Sequence, residues 1–272
     1  MHWWLVGLAA LGVLAAVLVL VASIRRARLR RVVPARRAPR LRHPVVLAHG
    51  VLGFDEIAVA GRKHRYFRNI AEQLGSLGAE FHSPRVPPAA PVSVRAGRLV
   101  ALVRELPGKR VNVIAHSMGG LDARFAIAQL GLADRVASLV TIGAPHHGTP
   151  LAELPLTRAT ARLLGIAALA DLTPRALERF NREVPDDPRI AYCSVVGKSN
   201  LAHTNPLLWP SHAYLSARSG ANDGLVPAAS QRWGKVLREI EADHWAQVGW
   251  SLKFDAVALY EEILRELAAL GF

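Results

Sequence analysis

The sequence predicts an α/β fold, with a mostly parallel sheet covered by helices on both faces. Three observations carry this. Short apolar runs recur at Pro44–Ala48, Val111–Ala115, Ala137–Ile142 and Ile190–Val196. Segments with helical apolar spacing alternate with them, at Arg65–Leu77, Arg95–Leu106 and Leu121–Leu132, and Phe254–Leu270 closes the chain as an amphipathic helix. The strand-like runs are mostly apolar, as expected of strands buried on both faces between crossover helices.

One segment breaks the alternation. Residues 151–182 are rich in Leu and Ala and read as helical throughout. Coming directly after a strand end, they are expected to form a short cap above the sheet. Two ordinary packing helices are the alternative.

The chain divides into an amino-terminal segment and a body. Trp3 to Ile24 has no charged side chain, and these 22 residues would span about 33 Å as a helix, the thickness of a bilayer core. Trp3 and Trp4 suit one interface and the arginines from Arg25 onward the other. Residues 1–24 are therefore expected to be a transmembrane anchor, and 25–42, with Pro34 and Pro39, a basic irregular linker. A cleaved signal peptide would need a basic start and a shorter apolar core. Residues 43–272 form the expected globular domain, long enough for one well-buried core.

The formal net charge is +13, but nine arginines and no acid fall in the first 43 residues, leaving the body only mildly basic. Basic clusters beside an apolar segment meet lipid headgroups, so no nucleic-acid partner is expected. The arginines follow the anchor, so the domain is expected on the cytoplasmic side of the membrane. The single cysteine, Cys193, excludes an intrachain disulfide and reads as a buried strand residue.

The segment Ala115-His116-Ser117-Met118-Gly119-Gly120 ends a strand and opens a helix. This is the spacing of a nucleophile elbow, G-x-S-x-G, with Ala in the first small position. A serine on such a turn points its hydroxyl into the cleft, and residues two positions away must be small. The helix start also supplies backbone N–H groups for a developing oxyanion. Ser117 is thus the candidate nucleophile and the Met118 N–H one oxyanion donor. His116 is expected to point away and be structural. The other donor should come from the loop after the first strand, His49-Gly50-Val51-Leu52-Gly53. Its glycines are expected to let the backbone turn, and the Val51 N–H is the candidate.

In such folds the order is Ser, then Asp or Glu, then His. His146, His147, His203, His212 and His244 all follow Ser117. Only His244 follows a well-placed loop acid, Asp223 in Asn222-Asp223-Gly224. Asp243 is the rival acid, although a neighbour in sequence rarely orients the next ring. His146 and His147 are expected to shape a loop, and His203 and His212 to lie on the surface or in loops.

With these residues in view, the chain resembles the bacterial triacylglycerol lipases of the Pseudomonas–Burkholderia type, members of the α/β-hydrolase superfamily. The matching pieces are 49–55, 111–121, Thr141–Thr149, Phe180-Asn181, 222–226 and Asp243-His244. The resemblance implies a serine ester hydrolase, with Ser117, Asp223 and His244 as triad and Val51 and Met118 as oxyanion donors. It implies a lipid or acyl-ester substrate and no cofactor. It also implies a calcium site near the histidine, but the sequence departs there. Trp245-Ala246-Gln247 follows His244, and no acid occurs from Ser194 through Asn222. No metal is therefore expected. Acyl transfer or thioester hydrolysis on the same triad, and an inactive membrane-anchored scaffold, are the alternative functions.

Overall fold

The structure, a computed structural model, describes residues 39–51, 57–59 and 62–272. The anchor over 1–24, most of the linker, and Leu52 and Gly53 lie outside these residues. Among the described residues no helix is long and apolar enough to cross a membrane.

In chain order the elements are β1 (Val45–Ala48), β2 (Ile57–Val59), β3 (Arg62–His64), α1 (Ile70–Ser76), β4 (Phe81–His82) and α2 (Val92–Glu105). There follow β5 (Val111–His116), α3 (Gly119–Gln129), β6 (Val136–Ile142), α4 (Pro155–Leu163) and α5 (Pro174–Glu183). The chain ends with β7 (Ala191–Lys198), α6 (Trp209–Ser219), β8 (Lys235–Glu241) and α7 (Ala256–Ala269). Six strands form one sheet in the order β4-β1-β5-β6-β7-β8, and every pairing in it is parallel. β2 and β3 form a separate antiparallel pair.

Apolar side chains of the central strands leave the sheet on both faces, as parallel strands require. On one face Leu47, Ile114, Val140 and Val195 pack with Ile70 and Leu74 of α1 and with Tyr260, Ile263 and Leu267 of α7. On the other, Val46, Val113 and Leu139 pack with Leu99 and Val103 of α2 and with Ala126 and Ile127 of α3. The chain leaves β1 toward the β4 edge and then returns to place β5 on the other side of β1. That reversal is a switch point, where loops at the carboxyl ends of neighbouring strands diverge and leave a crevice. The loops after β1 and β5 carry Val51 and Ser117.

Several expectations are corrected. The helix expected over 65–77 begins only at Ile70. Asn69 takes a left-handed conformation, φ 61°, and Arg68 N–H instead bonds Val248 O at 3.0 Å. Asn tolerates this region better than most residues. The cap region is not helical throughout: 3-10 turns at Pro150–Glu153 and Ala167–Leu172 flank α4, and α5 follows. Gly165, at φ 66°, and Pro174 separate the pieces. Its two parts also differ in packing. Ala168 is buried with its N–H on Ala89 O, and Asp171 caps the start of α2 through Val92 N–H at 2.8 Å. On α4 and just after it, Leu156, Leu163 and Leu164 are exposed.

The short strands β2, β3 and β4 are absent from the sequence reading, and so are β8 and α6. β8 is an edge strand in which four charged residues are mixed with three apolar ones, so it carries no long apolar run. α6 begins Trp209-Pro210 and looks like a loop, yet Pro in the first turn of a helix removes no intrahelical bond.

Candidate active site

Ser117 lies just beyond β5 with φ 56°; among the described residues only it and Asn69 are non-glycine residues at positive φ. The backbone here is held in a region that costs an L-residue about 1–2 kcal/mol. Ser117 N–H bonds Ile142 O at 2.9 Å. The elbow explains its glycines by contact. A Cβ on Gly119 would stand 2.5 Å from Ala48 O, and one on Gly120 2.8 Å from Ala144 Cβ. Gly50 is a correction. Its φ is not positive, so it is not needed for the turn; a Cβ there would stand 2.7 Å from Ser117 Cβ. Glycine lets the loop after β1 close onto the serine.

Asp223 follows α6 and is completely buried. Its Oδ1 accepts from the N–H groups of Leu225, at 3.0 Å, and Val226, at 2.7 Å. Its Oδ2 lies 2.7 Å from His244 Nδ1. A carboxylate can only accept, so Nδ1 is the donor in this bond, and in the neutral ring that leaves Nε2 with its lone pair. His244 follows β8, and its ring centroid is 4.5 Å from that of His116, the neighbour of Ser117. This brings His244 to the elbow. His116 Nδ1 bonds the Tyr66 hydroxyl at 2.7 Å, and burial pushes the ring well below the usual imidazole range. It is neutral and structural.

The rival acid is occupied elsewhere. Asp243 accepts from the N–H groups of Asn205, Trp245 and Ala246 at 2.7, 2.9 and 2.8 Å. Burial raises its carboxyl, and those three donors pull it back.

Val51 is half-buried in a turn and packs against an apolar cluster that includes Met118, Leu121, Ala152 and Leu172. Met118 caps the amino terminus of α3. The residues expected to donate to an oxyanion thus share one cluster with Ala152, Ala168, Leu172 and Leu177. Arg95, completely buried on α2, was not singled out by sequence reasoning. Its Nη2 donates to His49 O at 2.6 Å, its Nη1 to Pro87 O at 3.0 Å and its Nε to Asp122 Oδ2 at 2.8 Å. It ties the loop after β1 to the helix that Ser117 opens. The available signal was an arginine on the apolar face of a helix. Burial pushes the Asp122 carboxyl up to about 7 against the pull of Arg95.

The other histidines stand apart from the pair. His146 is buried on Thr141 Oγ1 at 3.0 Å, and Asn181 Nδ2 donates to its carbonyl at 2.8 Å. Arg124 donates to Asn181 Oδ1 at 2.8 Å and lies 3.5 Å over the Trp233 ring. The Phe180-Asn181 motif therefore fastens α5 to α3. His147 faces Trp233, and exposed His203 pairs with Glu241. His212 is a correction: it is buried in α6, 2.8 Å from Ser199 O.

A calcium ion next to His244 would need several oxygen ligands including carboxylates. Among the described residues no group of three or more His, Cys, Asp or Glu side chains could hold a metal. Asp223 is committed to His244 and Asp243 to three backbone N–H groups, so the residues do not fit the ion.

A strained serine on a strand-to-helix turn of a parallel sheet, with a buried Asp–His pair whose ring lies against the residue before that serine, is the arrangement of an α/β-hydrolase-type fold. Comparison with known proteins agrees. A PGAP1-like alpha/beta domain matches residues 101–162. The triacylglycerol lipase of Pseudomonas fragi is 25% identical over 85% of this chain and 97% of its own length. That of Vibrio cholerae is 27% identical over 85% and 89%. The crystal structure of a metagenomic carboxyl esterase superposes with a TM-score of 0.75 at 23% identity, over 89% of this chain and 80% of that one. The chain is thus a homologue of the triacylglycerol lipases, and that homology assigns it to the carboxylic ester hydrolases.

Proposed function

We propose that this protein hydrolyses esters of apolar acyl groups, lipids among them, with Ser117 as nucleophile, His244 as base and Asp223 as its orienting acid. The single observation that carries the reading is the Asp223–His244 pair beside the elbow. Ser117 Oγ attacks the ester carbonyl while His244 Nε2 takes its proton. The buried Asp223 carboxylate stabilises the resulting imidazolium. The N–H groups of Val51 and Met118 hold the oxyanion. The tetrahedral intermediate collapses, the alcohol leaves with the proton from His244, and the acyl group stays on Ser117. A water molecule, deprotonated by His244, then releases the acid and restores the serine.

The apolar cluster around Val51 and Met118, and the exposed leucines of α4, support an apolar acyl group and a cap over the cleft. A fluorophosphonate probe tests the assignment. Ser117 should be labelled, and Ser117→Ala should lose labelling and turnover, the latter on the order of 10⁴-fold or more, while keeping its fold. Near-normal turnover by the folded variant would refute it.

The apolar stretch over 3–24 and the arginines that follow support a single-pass anchor with the domain on the cytoplasmic side. A reporter fused after Phe272 tests this: alkaline phosphatase activity there would mean the opposite orientation.

A further inference from the structure

We propose that Gln247 is a positioning residue for this site: its side-chain amide holds the Asp223 carboxylate in the plane that His244 requires. The inference rests on the triad reading above. Gln247 lies in the 3-10 turn Ala246–Val248, three residues after His244, and is completely buried. Its Nε2 donates to Asp223 Oδ2 at 3.0 Å, the same oxygen that receives His244 Nδ1 at 2.7 Å. A buried carboxylate can only accept, so the nitrogen of the amide must face it. With the two backbone donors on Oδ1, four donors then fix the carboxylate. Two come from its own loop, and two from the segment that carries the histidine.

The surrounding backbone is cut to fit this amide. A Cβ on Gly143, at the end of β6, would stand 2.3 Å from Gln247 Oε1. One on Gly197 would stand 2.1 Å from Nε2 and 3.0 Å from Cδ. Gly143 has φ 59° and needs glycine for its conformation as well. Gly197 does not have positive φ, and glycine inside a strand is ordinarily unfavourable. The close approach of Gln247 explains it. Gln231 secures the same residue from the other side, accepting Gly197 N–H at 2.6 Å and donating to Gly197 O at 2.9 Å.

Two consequences separate positioning from mere packing. Without the amide donor, the negative charge on Oδ2 is concentrated on His244, which holds the imidazolium more strongly than the neutral ring. The carboxylate is also freer to rotate. Turnover should fall, and the acidic limb of the pH–rate profile should move to higher pH. The titratable groups facing His244 are Asp223, the neutral ring of His116 and, next in sequence, Asp243. Gln247 itself adds no charge.

The test uses the full chain, p-nitrophenyl butyrate and the fluorophosphonate probe. Gln247→Met keeps the volume and removes the donor. Gly197→Ala keeps Gln247 but displaces its amide. Both should lower kcat by roughly 10- to 100-fold, as expected for losing a hydrogen bond to a charged group, with KM within about twofold. Both should move the acidic limb upward. Wild-type kcat and an unmoved limb in either folded variant would overturn the inference, even if its melting temperature fell. If Ser117 were labelled and Asp223→Asn inactive while Gln247→Met behaved as wild type, only this inference would fail. If wild-type Ser117 were not labelled, the triad reading itself would fall, and this inference with it.

Discussion

Asp223 and His244, 21 residues apart in sequence, are joined twice: Oδ2 to Nδ1 at 2.7 Å and, through the backbone, His244 N–H to Asp223 O at 2.8 Å. The backbone bond places the histidine loop against the acid loop, and the side-chain bond orients the ring. Asp243 lies next to His244 in the chain, yet it spends its carboxylate on three N–H groups of its own and a neighbouring loop.

The two acids should therefore fail differently. Asp223→Asn should lose roughly 10⁴-fold in kcat, because an amide at this place favours the wrong tautomer of the ring. Asp243→Asn should lower the melting temperature and leave more activity behind. Calcium chelation should change neither property in the wild type. Steady-state kinetics and thermal melts with and without EGTA check all three, and an Asp243→Asn protein less active than Asp223→Asn would show that the acid has been misassigned.

Gly50 meets Ser117 across the switch point, so its replacement should damage the site more than the fold. In Gly50→Ala the new methyl would stand 2.7 Å from Ser117 Cβ and 2.9 Å from the Tyr66 hydroxyl. Overpacking of this kind costs about 1–3 kcal/mol. The loop that carries Val51 must retreat, and kcat/KM should fall at least roughly tenfold if that strain is felt at the oxyanion. Gly97, in the middle of α2 with nothing within 4 Å of a Cβ, is the control. Gly97→Ala should raise stability by about 0.5–1 kcal/mol without touching activity. Equal behaviour of the two variants would contradict the close approach of the loops.

Asp122 gives a dependence of stability on pH. Its carboxyl is raised from 3.8 to about 7 in the folded protein by burial. Between those values the folded chain binds more protons than the unfolded one. This group's contribution is therefore fully present below about pH 4 and is lost as pH rises toward 7, by at most roughly 1.4 kcal/mol per pH unit. Asp122→Asn removes that term and leaves the other groups in place. The melting temperature of the wild type minus that of the variant should shrink steadily from pH 4 to 7. A constant difference would mean that Arg95 keeps the carboxylate ionised throughout.

Much of this protein was legible along the chain because the information is local. Buried parallel strands announce themselves as apolar runs, and the elbow needs small residues at fixed offsets from Ser117. The loop acid and the histidine follow in the order such sites require. The sequence was less informative where structure depends on partners distant in the chain. β8 has the composition of a solvated segment and becomes a strand only by pairing with β7. His212 sits among residues that look like a loop, and α6 buries it. Asn69 ends the reach of α1 through a left-handed turn that periodicity does not register.

What the sequence determined by itself is the set of candidate site residues and the sheet that displays them, since both rest on spacing between near neighbours. Order along the chain favours Asp223 over Asp243, but the contact that joins it to His244 was decided by tertiary structure alone. Asp223 is brought to Nδ1 by the fold, while Asp243 is drawn off by Asn205 N–H from 38 residues away. The same holds for Arg95 on the loop after β1 and for the seat of Gln247 between Gly143 and Gly197. Hydrogen bonds and steric contacts across a core depend on distance in space, and distance in space is set only when the sheet, its helices and its loops have closed on one another.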